Sequence, residues 1–302
     1  MLNFIGLRRA DGPRMTGTAM LMDLLGKAAT VAMLIFVVFS MLAMGTGLTL
    51  ARITEPLRNV RLVLLALLAN FVLMPIGAEA LAKVLRLDEP FEVGLLLLGC
   101  AAGGPFLPTL AERAKGDPAF AVSIMVLLMV VTVGYLPIVL PLLFPGVTVD
   151  PWPIARFLVL LMLLPLAAGL ALNALYASLA ARVKPILDWI SNVSVILLVL
   201  LITAANIDKI LKVFGTYGIL AGLLLTAFGV GIGWLLGGRN VETKRVMALG
   251  TGQRNGAAAL VVGSQSFDDP KVVVMVIVIT VVGLIILMPL SRALAYRGTI
   301  SP

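Results

Sequence analysis

The chain has 302 residues, of which 61% are hydrophobic and 13% charged, with a net charge of +8 and a mean hydropathy of +1.10. A soluble domain needs polar residues to cover its outside, so this composition excludes one and makes the bilayer the solvent. Histidine is absent and cysteine occurs once, as Cys100, which removes the commonest transition-metal ligand and any internal disulfide framework.

Residues 1–28 come first, as an N-terminal extension or interfacial segment. No compact apolar stretch before a small-residue cleavage site argues for a signal peptide there. A membrane span needs about 20 mostly apolar residues, and nine stretches then qualify: 29–50, 61–85, 91–115, 118–144, 152–176, 185–206, 212–236, 241–266 and 271–296. The gaps between them are short, so the transmembrane domain is expected to fill 29–302. One set of gaps carries Arg52, Arg58, Arg61, Arg113, Lys115, Arg182, Lys184, Arg239, Lys244, Arg245, Arg292 and Arg297. The opposite set carries Asp88, Glu89, Glu92, Asp150, Asp268 and Asp269. The positive-inside rule places the first set and the C-terminus in the cytoplasm. Nine spans leave the N-terminus outside, in a multi-pass protein of the inner (plasma) membrane. Arg8, Arg9, Arg14 and Lys27 run against that orientation. The net positive charge therefore reads as topology, with no nucleic acid as partner.

The chain contains an internal repeat. "KGDPAFAVSIMVLLMVV" from 115 resembles "FDDPKVVVMVIVITVV" from 267, and Asp269–Pro270 follows Asp117–Pro118 by 152 residues. Applied upstream, that offset brings "LLLLGCAAGGPFLP" (95–108) near "VMALGTGQRNGAAA" (246–259), and the span from Val60 falls on the span from Lys212. Five spans separate equivalent elements, and an odd number reverses orientation. This is an inverted-topology repeat, the plan of many secondary transporters.

The two glycine-rich breaks are the candidate site. Glycine lets the backbone leave helical geometry, and the freed amides and carbonyls must face protein, water or ligand rather than lipid. The half-helix starting after each break directs its positive dipole end at the membrane centre, where an anion is favoured; the half ending before it favours a cation. The candidate substrate-binding residues are Gly103, Gly104, Pro105, Gln253, Arg254, Asn255 and Gly256. The break residues are Gly99, Pro108, Gly250, Thr251 and Gly252. Tight helix packing alone would explain the glycines but not Gln253, Arg254 and Asn255.

"FSMLAMGTGLTL" (39–50), "ANFVLMP" (69–75), "GCAAGGPFLPTLAERAKGD" (99–117) and "GTGQRNGAAAL" (250–260) resemble the bile acid:sodium symporter family, in order and across nearly all spans. The resemblance implies an all-α membrane protein of nine transmembrane helices, with two crossed discontinuous helices. It implies a core of 61–144 and 212–296 and a panel of 29–50 and 152–206. It also implies alternating-access transport of an organic anion. The sodium sites of the family do not carry over. Where coupled relatives read Gly-Gly-Thr-Ala-Ser-Asn, this chain has Gly103, Gly104, Pro105, Phe106, Leu107 and Pro108. Two hydroxyl positions fall on Ala121 and Met125. Where relatives read Glu-Val-Gly-Met-Gln-Asn, this chain has Gly250, Thr251, Gly252, Gln253, Arg254 and Asn255. A liganding glutamine of an earlier helix falls on Asn70.

Sodium wants oxygen ligands and a compensating carboxylate, and this chain offers a fixed positive charge instead. A sodium ion a few ångströms from Arg254 would be strongly repelled at low dielectric. Arginine keeps its proton in a protein, and at mid-membrane it costs at least about 2.5–3.5 kcal/mol unless offset. Two offsets stand side by side. Arg254 is a tethered cation donating to carbonyls near 99–102, or it faces the cavity and pairs with a substrate carboxylate. Glu79 reads as snorkelling, Glu112 and Asp117 as ion-pair or cap residues. Asn173, Asn192, Asn206, Ser264 and Thr280 read as interhelical hydrogen bonders. Met41 and Met44 are candidates to line an adaptable pocket.

The expected function is a sodium-independent secondary transporter of a small organic anion. The rivals are a sodium-coupled symporter with a relocated ion site and a non-transporting ligand-binding membrane receptor. Without histidine, paired intramembrane carboxylates or a metal-ligand cluster, an enzyme is not expected, nor is a cofactor or metal. The expected partners are a small organic anion and the lipid bilayer, in a monomer or weak homo-oligomer.

Overall fold

The computed structural model describes residues 17–49, 51, 54, 56–144, 151–205 and 217–296. Arg8, Arg9, Arg14, Arg52, Asp150, Asn206, Lys212 and Arg297 lie outside them. Among the described residues the chain is helical throughout, without strands. In hydrocarbon a single segment can satisfy its own backbone only as a helix. The helices are α1 (Gly17–Thr46), α2 (Val60–Leu85), α3 (Glu89–Cys100), α4 (Leu107–Arg113) and α5 (Pro118–Leu143). They continue with α6 (Pro151–Leu158 running on through Val159–Leu163 and Leu164–Leu175) and α7 (Ala177–Ala205). The last four are α8 (Gly218–Leu236), α9 (Val241–Gly252), α10 (Gly256–Ser266) and α11 (Pro270–Tyr296).

Among the described residues, six helices are long and apolar enough to cross a membrane: Leu24–Thr46, Val60–Leu85, Pro118–Leu143, Ile154–Leu175, Gly218–Leu236 and Pro270–Ala295. They lie on six of the nine expected spans. The stretches 91–115 and 241–266 are each divided into two short helices, α3 with α4 and α9 with α10. The stretch 185–206 lies in α7, whose first half carries Arg182, Lys184, Asp188, Ser191 and Asn192.

Local chemistry sets the helix starts. The Asp117 carboxylate accepts from Ala119 N at 2.9 Å and Phe120 N at 3.0 Å, with Pro118 in the first turn of α5. Asp269 accepts from Lys271 N at 2.8 Å before α11. Each aspartate satisfies amides that have no helical partner, and each proline gives up a donor that is not needed there. Both Asp–Pro pairs therefore do the same local job.

In α2, the turn Ala69–Leu73 is a π-helical bulge. Pro75 has no N–H to give the carbonyl four residues back, and the Tyr135 hydroxyl of α5 donates to that Phe71 carbonyl at 2.7 Å. The bulge also presents the buried Asn70 to the second break. In the packing, α1 lies against α6 and α7, α3 against α2 and α11, and α8 against α9 and α11. Asn173 of α6 donates to the Leu48 carbonyl at 2.7 Å, just after α1.

Candidate functional site

In the first break, α3 ends at Cys100, Ala101 is extended, and Gly103 has φ +77°. A Cβ at Gly103 would stand 2.4 Å from Met129 N of α5, so both its conformation and its closeness to α5 require glycine. Thr132 of α5 stitches the break to its neighbour. Its hydroxyl accepts from Ala102 N at 3.0 Å and donates to Ala102 O at 3.1 Å. In the second break, α9 ends at Gly252, Gln253 is extended, and Asn255 starts α10. The breaks meet directly, because Asn255 N donates to Ala101 O at 2.9 Å.

Arg254 lies at that junction, 7% exposed. Its Nε donates to Leu98 O at 2.8 Å and its Nη2 to Gly99 O at 2.7 Å. Its Nη1 donates to Asn70 Oδ1 at 2.7 Å and to Thr251 O at 3.3 Å. Leu98 and Gly99 close α3, and Thr251 closes α9. These are the carbonyl ends of two half-helices, where a cation is favoured and orphan acceptors need donors. Asn70 donates to Ala66 O at 3.0 Å and to Thr251 Oγ1 at 3.3 Å, which turns its oxygen towards the guanidinium. The side-chain partners of Arg254 among the described residues include no carboxylate; Glu79 and Asp188 pair with Lys83 and Lys184 instead.

Asn255 is fully buried. Its Oδ1 caps Ala258 N at 3.0 Å, while its Nδ2 has no partner. A Cβ at Gly104 would come within 2.8 Å of Arg254 O and of the Gln253 amide. Leu107 is buried, and a Cβ at Gly250 would come within 2.8 Å of it. Ala121 and Met125 are buried on α5. Beyond the junction, Asp117 acts as a cap, Glu79 pairs with Lys83 at 2.6 Å, Thr280 bonds a carbonyl of its own helix, and the Ser264 hydroxyl lies within reach of both Val261 O of its own helix and Met33 Sδ of α1.

Two cavities border the first break, and one of them also reaches the junction. The inner one, about 160 Å³, is lined by Gln253, Arg254, Gly252, Gly256 and Ala257 together with apolar side chains including Phe36 and Leu198. The outer one, about 940 Å³, is lined by Pro108, Met125, Arg113, Lys184, Asp188 and Asn192, among others. Phe36, Pro105 and Phe106 line both. Sequence reading did not single out Phe36, Asp188, Ser191 or Thr132. The polar stripe Lys184, Asp188, Ser191, Asn192, spaced along one face of α7, was the available signal for the outer cavity. Thr132 was visible only as a hydroxyl within an apolar span.

These features define a polytopic, all-helical membrane protein in which two interrupted helices touch around a buried guanidinium. The sequence pattern of the Sodium Bile acid symporter family matches residues 33–213, more than half of the chain, and the chain belongs to that family. It is 28% identical over 235 residues to the probable sodium/metabolite cotransporter BASS1, chloroplastic, of Arabidopsis thaliana, covering 76% of this chain and 58% of that one. It is 28% identical over 213 residues to the uncharacterized sodium-dependent transporter YocS of Bacillus subtilis, covering 67% and 62%. The human hepatic sodium/bile acid cotransporter is 25% identical over 244 residues, covering 76% and 68%. The chain thus spans about three fifths of the length of the first two relatives.

Proposed function

We propose that the chain is a secondary transporter of a small organic anion, working by alternating access without sodium. The observation that carries this reading is the Arg254 guanidinium held by Leu98 O, Gly99 O, Asn70 Oδ1 and Thr251 O, with no carboxylate among its partners in the described residues. Four oxygens converging on a positive charge are what a hard cation would need. By the family resemblance, Asn70, Gly250 and Arg254 stand where coupled relatives hold sodium. Here a side chain brings the charge permanently, so ion binding adds nothing further to the junction.

The nine-span, inverted-repeat reading gains support from the two breaks and from the paired Asp–Pro helix starts. A panel of α1, α6 and α7 facing a core of the other helices accords with the packing of α1. The outer cavity lies between these groups, on the side of Arg113 and Lys184. In the orientation the loop charges favour, it is a vestibule open to the cytoplasm, and its two cations suit an anion on its way in.

The test is counterflow of labelled organic acids in proteoliposomes, with sodium replaced by potassium or choline. Counterflow that is unchanged by the replacement is the expected result. Counterflow that requires sodium removes the uncoupled reading, and none with any acid removes the carrier.

A further inference from the structure

The end of α8 nearest α9 carries charge that the fold does not use. The turn 237–240 between the two helices is fixed by the Thr243 hydroxyl, which donates to Gly237 O at 2.7 Å and lies 2.9 Å from Asn240 O. Gly238 takes φ +81°, and a Cβ on it would stand 3.0 Å from Leu62 Cδ2 of α2. The turn therefore lies against the start of α2. Arg239 and Arg61, each one position from this contact, are exposed at the same end of the helix pair. Lys244 of α9 joins them, its Nζ 5.8 Å from the centroid of the half-buried Trp234 ring of α8. Among the described residues none of these three cations forms an ion pair or a side-chain hydrogen bond. Arg245 differs from them, being buried and donating to Lys115 O at 2.9 Å. Glu242 is the acid in the first turn of α9, and three cations against it leave the group net positive.

From these charges an apolar seam runs along α2 and α8. The two helices touch again at mid-length, where a Cβ on Gly77 would collide with the Phe228 ring. Leu64 and Leu68 of α2 and Leu224, Phe228 and Leu235 of α8 are exposed along the pair. Gly231 falls between Phe228 and Leu235 on one face of α8. Apart from the backbone of its own helix, nothing lies within 4 Å of a Cβ built on it, so that face is indented. A tryptophan ring with a cation over it, where apolar helix gives way to charged turn, is the arrangement of a membrane–water interface.

We infer that this end of the α2–α8 pair binds an anionic phospholipid. The head-group phosphate lies against Arg61, Arg239 and Lys244, and an acyl chain follows the seam past Gly231. The combination selects the lipid. A free phosphate gains nothing from the apolar seam, and a zwitterionic head group brings an ammonium that the three cations repel. The orientation that the loop charges favour puts this end in the cytoplasm, where anionic head groups attract basic segments next to membrane helices.

Trp234 reports on its own lipid. The chain has three tryptophans, and Trp152 and Trp189 are 72% and 65% exposed, so Trp152→Phe/Trp189→Phe leaves Trp234 alone without touching the core. The full chain is reconstituted in mixtures of phosphatidylcholine and phosphatidylglycerol, with bromine on the acyl chains of one or the other, and quenching of Trp234 gives the relative occupancy. A preference of about fivefold for phosphatidylglycerol is expected at low salt, the attraction of one cation for an anionic surface. It fades at about 1 M salt. Adding Arg61→Gln/Arg239→Gln/Lys244→Gln abolishes the preference and leaves quenching by brominated phosphatidylcholine unchanged, which also shows that the variant is folded. Trp189→Phe/Trp234→Phe, which reports from Trp152, shows no preference. Inorganic phosphate at matched ionic strength leaves the preference at Trp234 in place. Equal quenching of Trp234 by the two lipids overturns the inference. So does a preference that survives the loss of the three cations, or one equal in size at Trp152, which reports only the net charge of the chain. Displacement by inorganic phosphate gives the cluster to a free anion and overturns the lipid. The salt series and the comparison with Trp152 keep all three cations and decide the matter even if the variant lacking them is not recovered.

Discussion

Arg254→Ala tests whether a guanidinium has taken over the work of a bound ion. In the folded chain, Gly99 O and Asn70 Oδ1 depend on Arg254 for their side-chain donor, whereas Leu98 O also accepts from Ala101 N at 3.2 Å. Each orphaned buried acceptor costs about 1–3 kcal/mol, so the two together cost about 2–6 kcal/mol. Removing the guanidinium also removes a charge whose burial in a membrane costs at least about 2.5–3.5 kcal/mol. The two terms largely cancel, and the net change lies between a gain of about 1.5 kcal/mol and a loss of about 3.5 kcal/mol. The sharper consequence is chemical. The variant leaves a small space facing Leu98 O, Gly99 O, Thr251 O and Asn70 Oδ1, with the repelling charge gone. Sodium becomes a ligand for that space. At ten times its dissociation constant it stabilises the folded state by about 1.4 kcal/mol. For a chain of 302 residues, with an unfolding entropy of about 0.6 kcal/mol/K, that raises the thermal midpoint by roughly 2 °C. The assay is thermal unfolding in detergent, exchanging choline for sodium at constant ionic strength. Arg254→Ala gains in sodium and the wild type does not. Arg254→Lys, with a compact ammonium and three donors, keeps part of the bonding and stays indifferent to sodium. If Arg254→Ala ignores sodium, or the wild type responds as strongly, the tethered-cation argument is refuted.

Thr132→Val is nearly isosteric but orphans both backbone groups of Ala102, so it lowers stability by about 2–6 kcal/mol; an unchanged thermal midpoint would show that the break does not rely on this clamp. Gly103→Ala imposes a left-handed residue, costing about 1–2 kcal/mol, and puts a Cβ 2.4 Å from Met129 N. It should both lower the thermal midpoint and abolish counterflow, and retention of either property contradicts the geometry. Asp188→Asn breaks an ion pair whose partners are 41% and 44% exposed, so stability changes by less than about 1 kcal/mol. The outer cavity becomes more positive, and initial uptake of an anion rises at low salt and returns to the wild-type rate at high salt. A salt-independent change would separate Asp188 from anion entry.

Much of this protein is written locally. Long apolar stretches dictate helices because lipid offers the backbone no partner. Asp–Pro at 117–118 and 269–270 marks helix starts because each cap is made within three residues. Gly103–Gly104–Pro105 mark the first interruption because glycine and proline act on their own backbone, whereas Gly250, Thr251 and Gly252 are still helical and the second interruption falls on Gln253–Asn255. The partners of Arg254 are a different matter. Leu98, Gly99 and Asn70 lie 156, 155 and 184 positions away from it, and Thr132 clamps a residue 30 positions earlier. The sequence reading left Arg254 between the carbonyls of a half-helix and the substrate; only the meeting of the two breaks placed it on Leu98 O and Gly99 O. The tertiary structure also made Asn255 a cap, left Gln253 without a partner, and put Phe36 of α1 on the wall of both cavities. Apolar burial is non-directional, so composition alone names the buried stretches but not their neighbours. Hydrogen bonds are directional and short in space, and folding alone decides which distant residues come within their reach.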